Sequence, residues 1–221
     1  NGHIYNLRYS GGDGYQGQNG ARYPWQPEAK TLTTTNSTRS GVTVAGSNTK
    51  LLIGHAATVV DGSSVGATVT NSGSVTVEST IVPATGMKAL SFNGTNQYLT
   101  TPDDSTNYQI GTGQFTAEGW MYVTDLSGGR MMMSFGTGST VKLAFYYYAS
   151  GDGAVALFDW VAGAWIAGYP IAYPNRDVVQ SHRWIHVACG RDGSNNMRVF
   201  ANGKLIHKST VTTNFNNNNI L

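Results

Sequence analysis

Leu90–Leu99, LSFNGTNQYL, and Gln114–Val123, QFTAEGWMYV, are the two stretches that decide the fold. In the first, Leu90 and Phe92 alternate with polar residues up to Asn93-Gly94. That pair suits a tight turn, and Tyr98 follows beyond it. The second reads as another strand. Downstream come RMMMSFG, VKLAFYYYAS, AVALFDW, RWIHVACGRD and NMRVFANGKLIH, joined by short connections containing Gly, Asp or Asn. Regular spacing of this kind points to an antiparallel sandwich or jelly roll rather than a parallel sheet. No segment of ten or more residues carries a helical period, so the chain is all-β. Met131, Met132 and Met133 read as a continuous apolar strand at the centre of the core rather than as a soft binding face.

Upstream, residues 31–85 form a polar β region. Val and Thr alternate between Gly, Asn and Ser breaks, and Thr68–Thr70 with Val75–Val77 read as a hairpin around Asn71-Ser72-Gly73. These strands carry few large apolar groups, so they need another surface to lean on. Residues 1–30 begin with a short strand, GHIYNLRY, in which Ile4 and Leu7 flank Tyr5 with an irregular period. A Gly-rich break follows, then RYPWQPEAK, an extended or turn segment pinned by Pro24 and Pro27, in which Trp25 reads as a plug at one end of the core or as a binding aromatic.

Composition excludes several classes of function. The 221 residues are 12% charged, with a net charge of +2 and no basic block. A nucleic-acid partner is therefore not expected. No run approaches the roughly 18 apolar residues of a membrane span. No secretory signal is visible, and the opening Asn suggests a processed chain or a piece of a longer polypeptide. The single cysteine, Cys189, sits in the apolar run WIHVAC and reads as a buried thiol. The five histidines show no zinc-ligand spacing with it.

Four passages together resemble the concanavalin A-like lectin/glucanase superfamily, in its laminin-G-like branch. They are ALSFNGTNQYLTTPDD at 89–104, FTAEGWMYV at 115–123, WIHVACGRDG at 184–193 and MRVFANGKLI at 197–206. The most specific is the last pair, with its turn at Asn202-Gly203. The resemblance covers residues 86–221 and implies two curved antiparallel sheets. Members usually end on a further strand after that hairpin, and residues 1–8 look like the missing strand. Ile4, Tyr5 and Leu7 would then complete a sheet: that of a preceding module in a tandem array, that of an exchanged copy, or their own. The Thr/Ser/Gly-rich region followed by such a domain also resembles modules of bacteriophage tail fibres, neck appendages and capsid decorations. That implies a non-enzymatic structural module of a virion or extracellular assembly, making subunit contacts with other copies or virion proteins.

Glucanases of this superfamily use clustered carboxylates on one strand, one as acid and the other as nucleophile or base. This chain has only three glutamates, Glu28, Glu78 and Glu118, and no such cluster, so it is not expected to be an enzyme. Glu118 is expected to pair with Arg130, Lys142 or Arg198. The resemblance implies no obligatory cofactor, though calcium is possible, with Asp103, Asp104 and Asn93 as candidate oxygen ligands. The alternative function is carbohydrate recognition. Glycan binding needs an aromatic platform with polar neighbours. Trp165, Tyr169 and Tyr173, with Arg176 and Asp177, are the candidates, in the long connection FDWVAGAWIAGYPIAYPNRD.

Overall fold

The computed structural model describes residues 2–11, 37–39, 42–44, 48–125, 127, 129–136, 141, 143–148, 154–159, 162–167 and 180–215. Its main body is two antiparallel sheets packed face to face. The larger contains β1 (Gly2–Gly11), β4 (Thr49–Ile53), β6 (Thr76–Glu78), β7 (Ala89–Phe92), β9 (Phe115–Val123), β14 (Trp184–Arg191), β15 (Asn196–Ala201) and β16 (Lys204–Thr210). The smaller runs in chain order from β10 (Arg130–Phe135) through β11 (Leu143–Tyr148) and β12 (Ala154–Asp159) to β13 (Ala164–Ala167). Two short ladders lie apart from these: β2 (Ser37–Arg39) with β3 (Val42–Val44), and β5 (Thr70–Ser72) with β8 (Tyr98–Thr100).

β1 organises the larger sheet. One edge pairs along β9 from Gly2 opposite Val123 to Gly11 opposite Phe115. On the other edge Gly2–Ile4 pair with β7, and Leu7–Ser10 pair with β4. Residues 2–11 thus pair within the sheet of their own chain. The sheet also runs across the boundary expected at residues 85 and 86, because β1, β4 and β6 are its strands. The irregular spacing of Ile4 and Leu7 has a physical cause. The register shifts between Tyr5 and Arg8, and this irregularity lets Ile4, Leu7 and Tyr9 all reach the core. The polar region leans on the sandwich in the same way: Leu51 and Leu52 of β4 are fully buried.

The core lies between the sheets. Leu7, Tyr9, Leu51, Leu90, Met121 and Val187 from the larger meet Met133, Phe135, Leu143, Phe145 and Leu157 from the smaller. Tyr9 and Phe135 are in edge contact at 4.9 Å across the gap. Cys189 is buried within it, and burial pushes its thiol pKa up. Two expectations need correction. The stretch 68–77 is not a hairpin, because β5 pairs with β8 while β6 pairs with β7. The turn itself exists, with the Asn71 side chain bonded to both N–H and C=O of Val75, but its arms enter different sheets. The methionine run is not central either. β10 is an edge strand, its register slips between Met131 and Met133, and Met131 is 46% exposed.

Turn chemistry sets the β14–β15–β16 meander. Asn202 and Gly203 both have positive φ, 46° and 77°, as a tight hairpin turn requires. At the other end Asp192 accepts bonds from the backbone N–H groups of Ser194 and Asn196, and from Arg198 at 2.6 Å. Burial pushes the Asp192 carboxyl up, but Arg198 and the Asn196 and Ser194 donors outweigh it and hold it at about 2, below the ordinary 3.8. A pKa lowered by folding adds stability above the unfolded value and loses it as the group protonates. The expected result is acid destabilisation between pH 3.8 and about 2 that Asp192→Asn abolishes, read from melting temperature against pH.

Candidate functional site

Strand alternation divides β9 between two environments. Phe115, Ala117, Met121 and Val123 enter the core, so Thr116, Glu118, Trp120 and Tyr122 face away from it. On β14 the same division sends Ile185, Val187 and Cys189 inward and leaves Trp184 and His186 on the outer face. The register places Trp184 opposite Tyr122 and His186 opposite Trp120. Gly190 permits this tight pairing at the far end, since a Cβ there would lie 2.7 Å from the Phe115 carbonyl oxygen.

The result is an aromatic strip with a polar floor. Tyr122 and Trp184 lie 5.6 Å apart between ring centroids, and the exposed His182 stands edge-on to Tyr122 at 6.1 Å. Trp120 meets the His186 ring edge-on at 5.3 Å. Beneath them His186 Nε2 lies 3.2 Å from Glu118 Oε2, and both side chains are nearly buried. Asn202 fixes the strand at this point by accepting from the His186 N–H and donating its own to the His186 carbonyl. Trp120, Tyr122 and Trp184 are partly buried, so part of each ring reaches solvent. Partly exposed rings can stack on the apolar face of a ring-shaped polar ligand, and the buried pair beneath holds the strands that carry them.

Glu118 meets a residue not among the expected partners, and Lys142 lies outside the described residues. Arg130 contacts Asp125 at 3.4 Å and Arg198 binds Asp192, while Glu118 meets His186. A carboxylate facing an imidazole is not the pair of carboxylates that glycoside cleavage requires. Asp159 is buried as well, and its carboxylate accepts the Ala162 N–H.

Of the other candidate residues, only some fall within the described part of the chain. Trp165 is in β13, at one edge of the smaller sheet, where its backbone pairs with Phe158. Tyr169, Tyr173, Arg176 and Asp177 lie outside the described residues, as does Trp25. Among the calcium candidates, Asn93 caps its own turn by accepting from Thr95 and Asn96. Asp104 accepts from the Thr106 and Asn107 backbones and from the Asn107 side chain. These bonds hold its carboxyl below the ordinary range, the Asn107 side-chain bond most of all. Among the described residues no group of three or more His, Cys, Asp or Glu side chains could hold a metal ion.

A family model described as "Concanavalin A-like lectin/glucanases superfamily" matches residues 93–221, more than half of the sequence. This chain belongs to that superfamily. Several solved structures share its architecture. One is the binding domain of botulinum neurotoxin DC in complex with rat synaptotagmin II, at TM-score 0.54 and 16% identity, covering 77% of this chain and 42% of that one. A second comes from work on cell entry of botulinum neurotoxin type C, dependent upon interaction with two ganglioside molecules, at TM-score 0.54 and 17% identity, covering 77% and 41%. A third is the binding domain of botulinum neurotoxin DC in complex with SialylT, at TM-score 0.51 and 15% identity, covering 74% and 40%. At these identities the likeness shows the fold alone, and the chain spans about two fifths of the length of the structures it matches. No curated protein matches the sequence. The resemblance to bacteriophage tail, appendage and decoration modules is corrected by these findings: the superfamily match stands, and the similar solved structures are toxin binding domains, not virion proteins.

Proposed function

We propose that this superfamily member is a non-catalytic, extracellular recognition domain that binds carbohydrate on the outer face of its larger sheet. The observation that carries this is the strip of Trp120, Tyr122 and Trp184 above the buried Glu118–His186 pair. The rings supply stacking surface, and the buried pair fixes the β9–β14 register that sets them side by side. The fold is used for recognition elsewhere, since similar structures are named as binding domains in complex with a protein and with SialylT.

The test is a glycan array, followed by calorimetry with the best binder. Trp184→Ala is expected to weaken binding by more than about tenfold, as loss of a central aromatic contact does. Trp165→Ala, on the smaller sheet, should leave binding unchanged. Loss of binding in Trp165→Ala with retention in Trp184→Ala would move the site to the 160–177 connection. No binding by the wild-type chain would remove the reading.

A further inference from the structure

Between β4 and β5 the chain forms a strap against the end of β4. After Ile53 it turns away at Gly54, with φ at 78°, and returns at Gly62, whose N–H donates to the Leu52 carbonyl at 2.9 Å. Asp61 secures the return. Its Oδ1 accepts the Leu52 and Ser63 N–H groups, and its Oδ2 accepts the Ala67 N–H and the Ser63 hydroxyl. Val59 and Val65 pack against the core from this strap.

His55 is wedged inside it. The ring lies so close over Gly62 that a Cβ there would stand 2.3 Å from Nε2 and 2.4 Å from Cε1. Nδ1 is enclosed and has no hydrogen-bond partner. A neutral ring with its proton on Nε2 tolerates this, because an unprotonated Nδ1 needs no acceptor. An imidazolium carries N–H on both nitrogens, so the enclosed one would become a buried donor with nothing to receive it. Asp61 is the charged group that acts on the ring, and its two oxygens are already taken by the strap's own donors. Burial lowers the His55 pKa from the ordinary 6.5, and Asp61 offsets only part of that.

We propose that residues 54–67 form a pH-operated strap, closed on β4 while His55 is neutral and released when His55 is protonated. A group whose pKa folding lowers stabilises the closed form fully above its unfolded value, and that stability is lost as pH falls through the folded one. Release therefore belongs on the acid side of 6.5, above the range in which Asp192 titrates.

The test is amide hydrogen exchange of the full chain at about pH 7.5 and about pH 5, corrected for the intrinsic rate. The amides of Leu52, Gly62, Ser63 and Ala67 report the strap, and those of β14 report the sheet. Strap protection should fall about tenfold at the lower pH, the cost of an unpaired buried donor, while β14 is unchanged. His55→Gln should give the same strap protection at both values. Gly62→Ala should open the strap at both, because its Cβ would displace the ring. Equal strap protection at both values in the wild type, the same fall in His55→Gln, or an unaltered Gly62→Ala would each overturn the proposal. An equal fall in the β14 amides would overturn it too, since the event would then be global unfolding.

Discussion

Arg191→Ala is expected to lower the unfolding free energy by about 3–5 kcal/mol, read from the urea midpoint at constant slope. Arg191 is fully buried at the end of β14. Its Nε donates to the Gly113 carbonyl, Nη1 to Thr213 and Nη2 to Gly111. The guanidinium also lies 4.9 Å from the Phe215 ring centroid and 5.9 Å from that of Phe115. One side chain therefore ties the loop before β9 to the segment after β16. That segment also holds through the Phe215 N–H to the Gly111 carbonyl. Truncation would remove the Arg191 bonds to the Gly113 and Thr213 carbonyls, leave Gly111 with only the Phe215 N–H, and open a void between two rings, and these costs act together. Arg191→Lys should recover only part of the loss, because an ammonium cannot span three carbonyls set around a planar fork. A loss below about 1 kcal/mol in Arg191→Ala would mean that water reaches those carbonyls.

Removing residues 1–11 is expected to abolish cooperative unfolding altogether. β1 is an interior strand with β9 on one side and both β7 and β4 on the other. Its loss would expose the edges of three strands and the core surface covered by Leu7 and Tyr9. A single buried Leu-to-Ala change costs about 2–5 kcal/mol, and marginal domains hold only about 5–15 kcal/mol in all. The truncated chain should bind a hydrophobic dye, lack a sharp melt, and regain one when a peptide of residues 1–11 is added. A truncated chain melting sharply within a few degrees of the full one would show that the rest of the sheet closes without β1.

Much of this fold was legible in the residues. Periodicity and turn signals placed β7, β9, β10, β11, β12, β14, β15 and β16, because each is a run of alternating or apolar residues bounded by Gly, Asn or Asp. The hairpin arms at 68–77 misled because a turn signal is local, whereas the partner of each arm is chosen across the chain. The strip of Trp120, Tyr122 and Trp184 went unnoticed as a unit: these rings belong to strands about sixty residues apart, and only the β9–β14 register joins them. Alternation on β9 could have shown that Trp120 and Tyr122 share a face with Glu118. Nothing local could have shown that His186 lies beneath them. Nothing in the sequence marks Arg191, since its three acceptors are backbone carbonyls and no residue pattern marks them.

The order of residues by itself determined that this chain makes antiparallel strands, where most of them run, and that Cys189 is internal. Side-chain period and turn preference act over a few residues, so they can be read without a partner. Tertiary structure alone decided that Gly2–Gly11 lies between β9 and β7 in its own sheet and that Glu118 faces His186. Those outcomes depend on which edges find each other and on how far one sheet covers the other. They come from competition among long-range pairings, in which the residues of any one stretch hold only one side of each contact.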